Sequence, residues 1–278
     1  MAAAEEENTI SPDSARRRAA ALGDDRVLVR PRYLAGDTDE TGMADTVLVS
    51  EFHWPMWVNA QGEQFASSPS HQIRVGLLPA PYTDWPWQMA SHEDCFAPQE
   101  PDWTAFFSWE TPQEILAAFH RAVAETLDND YHRRSSWFEP RPLDHAFAPL
   151  VEASWTHHAE RFHTTCTSPD GFAVAALHFD EDSPPNPAFG WTFSVGAGTL
   201  HWEAILGMGT PPHLVRALFA AVVDPAPVRR HRHELPEGLG SALQIDRAPS
   251  PETSPGPPVA PHPRITEPPS RSHEGRRR

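Results

Sequence analysis

Sixteen histidines and one tight acidic run are the groups in this 278-residue chain whose types and spacing come nearest to metal or acid–base chemistry. HHAERFH sets His157, His158 and His163 close together, and RHRH adds His231 and His233. Zinc needs ligands converging at about 2 Å, usually with cysteine or carboxylate help. On a strand, His157 and His158 point to opposite faces, so these histidines read as solvated or hairpin-facing. HFDEDSPPNP gathers Asp180, Glu181 and Asp182. A calcium loop needs alternating oxygen ligands, a glycine and a later bidentate glutamate, and the run reads instead as a solvated acidic loop. Ser68 and Ser168 each precede a proline and lack the strained G-x-S-x-G elbow of a serine nucleophile. The two cysteines, Cys95 and Cys166, occupy non-equivalent places, so neither reads as a shared nucleophile. No glycine-rich phosphate loop is present. The reading assigns no catalytic residue, no metal and no cofactor.

Tryptophan is the more informative set, ten residues against three tyrosines. Six of the ten form three pairs: Trp54 with Trp155, Trp87 with Trp191, and Trp103 with Trp202, separated by 101, 104 and 99 residues. Ser68-Pro69 and Ser168-Pro169 lie 100 apart, and Thr111-Pro112 and Thr210-Pro211 lie 99 apart. Five anchors in one order mark a duplicated domain, since the unit is too long for a solenoid repeat. The paired tryptophans read as core. Trp57, Trp85, Trp109 and Trp137 have no partner in the second copy. They are the candidate binding surface, because an unpaired tryptophan is free to act as an interface anchor, with packing between the two copies as the competing use.

The elements that must position these residues follow from pattern. HQIRVGLL and FAVAALHF are β-rich runs behind turn signals, with EQFASS and RFHTTCT as their partners. In SPDG, proline presets one backbone angle and glycine takes a positive φ. The first copy has SPSH there, so His71 predicts a wider or strained turn. WPWQMAS and WTFSVGA predict third strands, and WTAFFSW and WEAILGM fourth strands. TPQEILAAFHRAV and TPPHLVRALFAAV then predict a helix in each copy. Thr111 and Thr210 read as N-caps, the prolines as first helical residues, and Glu114 as the far half of a capping box, with His213 in its place in the second copy. Ile115, Leu116, Phe119, Ala122 and Val123 make one apolar stripe, and Leu214, Val215, Leu218, Ala221 and Val222 the other.

The predicted class is α+β: two homologous units, each an antiparallel β-meander covered by a C-terminal amphipathic helix, related by a pseudo-two-fold axis. The expected division is a disordered arm at 1–25, a first unit at 26–128 that opens on a strand at Arg26–Arg30, and a connector at 129–150. A second unit follows at 151–232, then a disordered Pro/Arg-rich tail at 233–278. A short helix is expected near Ala146–Ala153.

Charge narrows the partners. All 22 basic residues are arginine, and the net charge is −16. The first 25 residues carry −3 and residues 224–278 carry +2, which leaves −15 on the body. Such a body repels phosphate backbones. Two cysteines cannot make a disulfide framework, the N-terminal MAAAEEENTI has no secretory pattern, and no run reaches about 18 apolar residues. A cytoplasmic setting with no membrane contact is expected.

The strings RPRYLAGDTD, SSPSHQIRVGLLP, PDWTAFFSWETPQEILAAF, TSPDGFAVAAL and GTPPHLVRALFAAVVDPAPVRR resemble tandem copies of the domain of unknown function 317. That is an actinobacterial family common in streptomycetes. The resemblance covers about residues 26–232 and departs at Ser70 and His71, where the family has Asp-Gly. It implies the two-unit architecture and carries no activity, substrate or cofactor. The expected role is therefore a non-catalytic intracellular binding or scaffold protein with a protein partner. The alternatives are a nucleic-acid-associated protein that uses the arginines of its tail and, more remotely, an enzyme.

Overall fold

The computed structural model describes residues 26–37, 42–78, 83–92, 100–130, 144–178 and 190–248. In chain order these form β1 (Arg26–Arg30), α1 (Val47–Ser50), β2 (Met56–Val58), β3 (Gln64–Ser67), β4 (Ile73–Leu77), β5 (Trp87–Ser91), β6 (Trp103–Phe107) and α2 (Gln113–Asp130). The second half supplies α3 (Asp144–Glu152), β7 (Thr156–Ala159), β8 (His163–Thr167), β9 (Ala173–His178), β10 (Gly190–Ala197), β11 (Leu200–Gly207) and α4 (Pro212–Val222). β12 (Val228–His231) and β13 (Gln244–Arg247) follow. The arm at 1–25 and the tail beyond Ala248 lie outside the described residues.

Ten strands make one antiparallel sheet in the order β2-β3-β4-β5-β6-β11-β10-β9-β8-β7. That order reads as two five-strand meanders set end to end about a pseudo-two-fold axis. The seam is β6 on β11, pairing Ala105 with Leu206, Phe106 with Ile205 and Phe107 with Ala204. Ser108 reinforces it: its N–H donates to the Glu203 carbonyl at 3.0 Å, and its Oγ accepts from the Glu203 N–H at 2.9 Å.

Side chains alternate across a strand, and here one face of the sheet takes the apolar set. Trp87, Trp103, Phe107, Trp191, Phe193 and Trp202 are all buried on it. The helices supply the opposing surface. Phe119 of α2 meets Phe107 edge-on at 5.2 Å, and Phe219 of α4 meets Trp191 at 6.2 Å. Between the two helices, the Thr126 hydroxyl and the His213 Nε2 are 3.1 Å apart. All six paired tryptophans are buried.

The repeat extends further upstream than its sequence anchors. The Leu48 carbonyl accepts the Trp54 N–H at 2.9 Å, and the Leu150 carbonyl accepts the Trp155 N–H at 3.0 Å. The residue before each tryptophan, His53 or Ser154, has positive φ (56° and 65°). Hence α1 and α3 are equivalent elements, the first shortened to a single turn.

Three local expectations are corrected. The threonines do not cap the helices: the residue capping α4 is Pro211, with no side-chain cap bond. Thr111 and Thr210 are buried one residue earlier and face inward, the Thr210 hydroxyl donating to the Thr104 carbonyl at 3.3 Å across the seam. Second, β1 does not join the first meander. It lies between β12 and β13 in a separate three-stranded sheet, so it is tied to the end of the second copy. Third, residues from 233 onward include β13, which pairs Gln244–Arg247 with β1, where tail was expected.

The turn at His71 is not wider. Ser68 and Ser168 make the same bonds: each N–H donates across to Ile73 or Ala173, and each Oγ accepts the returning N–H. His71 takes φ of 60° where Gly171 takes 76°. A side chain in that region costs about 1–2 kcal/mol, partly offset by the entropy glycine loses on folding. Replacing His71 with glycine should raise stability by about 0.5–1 kcal/mol, read as a higher urea midpoint at unchanged slope.

Candidate functional site

The two copies share a fold, and they diverge on the sheet face turned away from the helices. One continuous row of side chains runs across that face from edge to edge. In the first copy it passes through Trp57, Phe65, Gly76, Gln88 and Phe106. Across the seam it continues through Ile205, Thr192, Ala176, Thr165 and His158. The pseudo-two-fold therefore sets Trp57 against His158, Phe65 against Thr165 and Phe106 against Ile205. The first copy carries an indole and two phenyl rings where the second has an imidazole, a threonine and an isoleucine. Trp57 is 48% exposed and stacks on Phe65 at 5.5 Å between ring centres, and Phe65 and Phe106 are half-buried. A Cβ on Gly76 would stand 3.4 Å from the Phe65 ring, so glycine there lets that ring lie flat on the sheet.

The other unpaired tryptophans have different places. Trp85 is half-buried beside the row, its carbonyl accepting from Gln88 Nε2 at 3.2 Å. Trp109 is 36% exposed in the turn between β6 and α2, where the second copy has the equally exposed Met208. Trp137 lies outside the described residues. Among the described residues only Trp57 of the four is in the row itself; Trp85 adjoins it through its backbone carbonyl, and Trp109 lies in the β6–α2 turn.

An ion pair with a buried arginine locks α2 to the end of the second copy. Arg230 of β12 has a fully buried side chain. Its guanidinium grips Glu114 of α2 with two bonds of 2.7 Å and donates its remaining N–H groups to the Ala35, Gly36 and Arg229 carbonyls. Glu114 is therefore the acceptor for Arg230, and the expected capping-box role gives way to it. Burial would raise the Glu114 pKa, but the hydrogen bonds and charge of Arg230 outweigh burial and hold it below its ordinary value of 4.5. All the donors of Arg230 are therefore engaged within the fold.

Tyr33 makes the matching tie to the second turn. Its hydroxyl donates to Asp170 at 2.7 Å, its carbonyl accepts the Trp202 indole N–H at 2.9 Å, and its ring meets Trp155 edge-on. Burial, then the bond to Asp170, pushes the phenol well above its ordinary value. Asp170 belongs to the SPDG turn, and Ser70 replaces it in the first copy.

The histidines do not converge. His158 pairs with Glu160 at 3.0 Å, His163 stacks on His178 at 4.4 Å, and the His231 and His233 rings lie 5.4 Å apart. Burial and then the neighbouring His163 lower His178. Among the described residues no group of three or more His, Cys, Asp or Glu side chains is placed to hold a metal ion. Cys166 is buried, and burial pushes its thiol up to about 11, away from the thiolate a nucleophile needs. Cys95 and Asp180–Asp182 lie outside the described residues.

His120 is the group that the sequence reading passed over. It is 2% exposed on α2, where burial pushes it down to about 3. It lies beneath a shallow, half-open depression bordered by Asp45, Thr46, Val47, Leu116 and Ala117. Setting TPQEILAAFH over TPPHLVRALF places His120 opposite Phe219, a difference legible in the sequence.

Fold and divergent face together define a duplicated α+β domain whose copies share a core and differ on the surface. Residues 67–127 and 167–228 each match the family model described as SPDY: Domain of unknown function (DUF317), and the chain carries that domain twice. Each match begins at the Ser-Pro turn and so leaves out β2, most of β3 and their counterparts β7 and β8, which complete the repeat here. No curated protein and no solved structure matches the chain.

Proposed function

We propose that this is a non-catalytic intracellular binding protein that takes a protein partner on the open sheet face of its first copy. The observation that carries this reading is the asymmetry of the cross-sheet row: Trp57, Phe65 and Phe106 stand where the second copy has His158, Thr165 and Ile205. A cross-strand aromatic pair adds only about 0.2–1 kcal/mol to a sheet, a small return for a tryptophan left 48% exposed on Phe65. Aromatic anchors of this kind carry most of the free energy at protein interfaces. The net charge of −16 disfavours nucleic acid on the same face.

The test is capture of partners by the intact chain, compared with Trp57→Ala and with His158→Ala. Trp57→Ala should weaken capture about thirtyfold, the effect of losing roughly 2 kcal/mol at an anchor, and His158→Ala should leave it intact. Equal loss in both variants would sink the proposal, and so would no loss in either.

A further inference from the structure

Among the described residues the two sheets end on four strands: β2 and β7 on the large sheet, β12 and β13 on the small one. Three of these edges carry polar or charged side chains. β7 has His157 and His158, β12 has Arg229 and His231, and β13 has Asp246 and Arg247. Charged side chains keep an edge from pairing with a stray strand. β2 has none: it reads Met56-Trp57-Val58, with Val58 56% and Trp57 48% exposed.

The backbone of β2 is set to take another strand. The Asn59 N–H donates to the Glu63 carbonyl and the Pro55 carbonyl accepts the Ser67 N–H, both on the β3 side. Peptide groups alternate in direction along an antiparallel strand. Trp57 therefore also bonds toward β3, and the N–H and C=O groups of Met56 and Val58 point outward. A strand laid antiparallel on this edge would bond to those four groups. The residue facing Trp57 would then fall in a non-hydrogen-bonded pair, the closer kind, with Cα atoms about 4.5 Å apart. Its side chain would lie directly on the exposed indole.

Resting on the reading that Trp57 anchors a protein partner, we propose that the partner arrives as an extended segment, added to β2 as an eleventh strand of the sheet. Strand addition of this kind takes affinity from main-chain bonds and specificity from alternate side chains. The segment is an apolar–basic–apolar triplet. The apolar residues cover Met56 and Val58, and a lysine or arginine lies over Trp57, where an indole face attracts a cation. Charge favours the same choice. The chain carries −16, and Glu63 stands two residues before Phe65, the partner of Trp57 on β3. Arg74, the charged residue within β2–β6, is two strands inward on β4.

The probes are random heptapeptides displayed on phage, selected on the full chain and then synthesised. Recovered peptides should carry the triplet, and Trp57→Ala should weaken them at least tenfold. On binding, hydrogen exchange at the Met56 and Val58 amides should slow at least tenfold. Val58→Pro removes one outward N–H and leaves the bonds to β3, so it should also cost at least tenfold. N-methylation of the peptide tests the same bonds without altering the protein. A methyl on either apolar residue should weaken binding at least tenfold, and one on the basic residue, whose N–H points away, should not. The proposal is overturned if peptides that need Trp57 tolerate both Val58→Pro and every N-methylation: the partner then lies flat on the open face, and the binding reading stands without the strand. Recovered sequences without a basic residue overturn it too. So does a free chain that is already a dimer with the Met56 and Val58 amides protected, since the edge is then filled by a second copy. If no recovered peptide needs Trp57, the binding reading falls together with it.

Discussion

Glu114→Ala should destabilise the protein by about 3 kcal/mol, because it strands the charge of Arg230 inside the fold. The Arg230 side chain is fully buried, and two of its bonds, both 2.7 Å, end on this one carboxylate. The Glu114 side chain is itself a third open to water, which places the loss at the low end of the range for broken buried pairs, about 3–5 kcal/mol. Arg230→Met should cost a comparable amount, since it leaves the Ala35 and Gly36 carbonyls without their donor. The two losses should not add: the double variant should fall short of their sum by about 1–3 kcal/mol. Equilibrium urea unfolding of the four proteins measures this. The pair also sets an acid limb. Glu114 has its pKa lowered on folding, so its contribution is fully present above the unfolded value and disappears as pH falls through the folded one. Glu114→Gln should therefore flatten the loss of stability below about pH 4.5. If Glu114→Ala cost under 1 kcal/mol, the strap between α2 and β12 would hold nothing together.

Trp202→Ala should cost about 3–5 kcal/mol, the range for removing a large buried aromatic. Trp202 is fully buried on β11, packs on Phe193 at 4.9 Å, and donates its indole N–H to the Tyr33 carbonyl. Truncation opens a cavity in the sheet's helix-side core and orphans the acceptor that ties the N-terminal segment to the second copy. Trp202→Phe keeps the ring volume in part and loses the donor, so it should recover part of the loss. A change below 1 kcal/mol in Trp202→Ala would mean that the paired tryptophans are not the core of the fold.

The strands were legible because their signals are local and written twice. Alternation, the Ser-Pro turns and the paired tryptophans located β3–β6 and β8–β11, and the apolar stripes located α2 and α4. Expectation failed where a local motif was overridden by a distant partner. T-P-x-E reads as a capping box, yet Thr111 is buried against the Ser108 hydroxyl, and Glu114 is drawn to Arg230, 116 residues away. The β1–β12–β13 sheet joins residues more than 190 apart, and β13 is exposed along its whole length, so no apolar period announced it. The candidate sites were half legible. Trp57 stood out because it has no counterpart in the second copy. His120 hid inside a convincing helix stripe, and only its register against Phe219 marks it.

The central claim is that the first copy's open face is the working surface and the second copy's equivalent face is not. The most direct measurement places a photo-crosslinking phenylalanine analogue at position 57 and, separately, at position 158, its pseudo-symmetric equivalent. The two proteins are then exposed in the cell that makes them. The account predicts a discrete protein adduct from position 57 and none from position 158. Adducts of equal yield from both positions, or from position 158 alone, would contradict it.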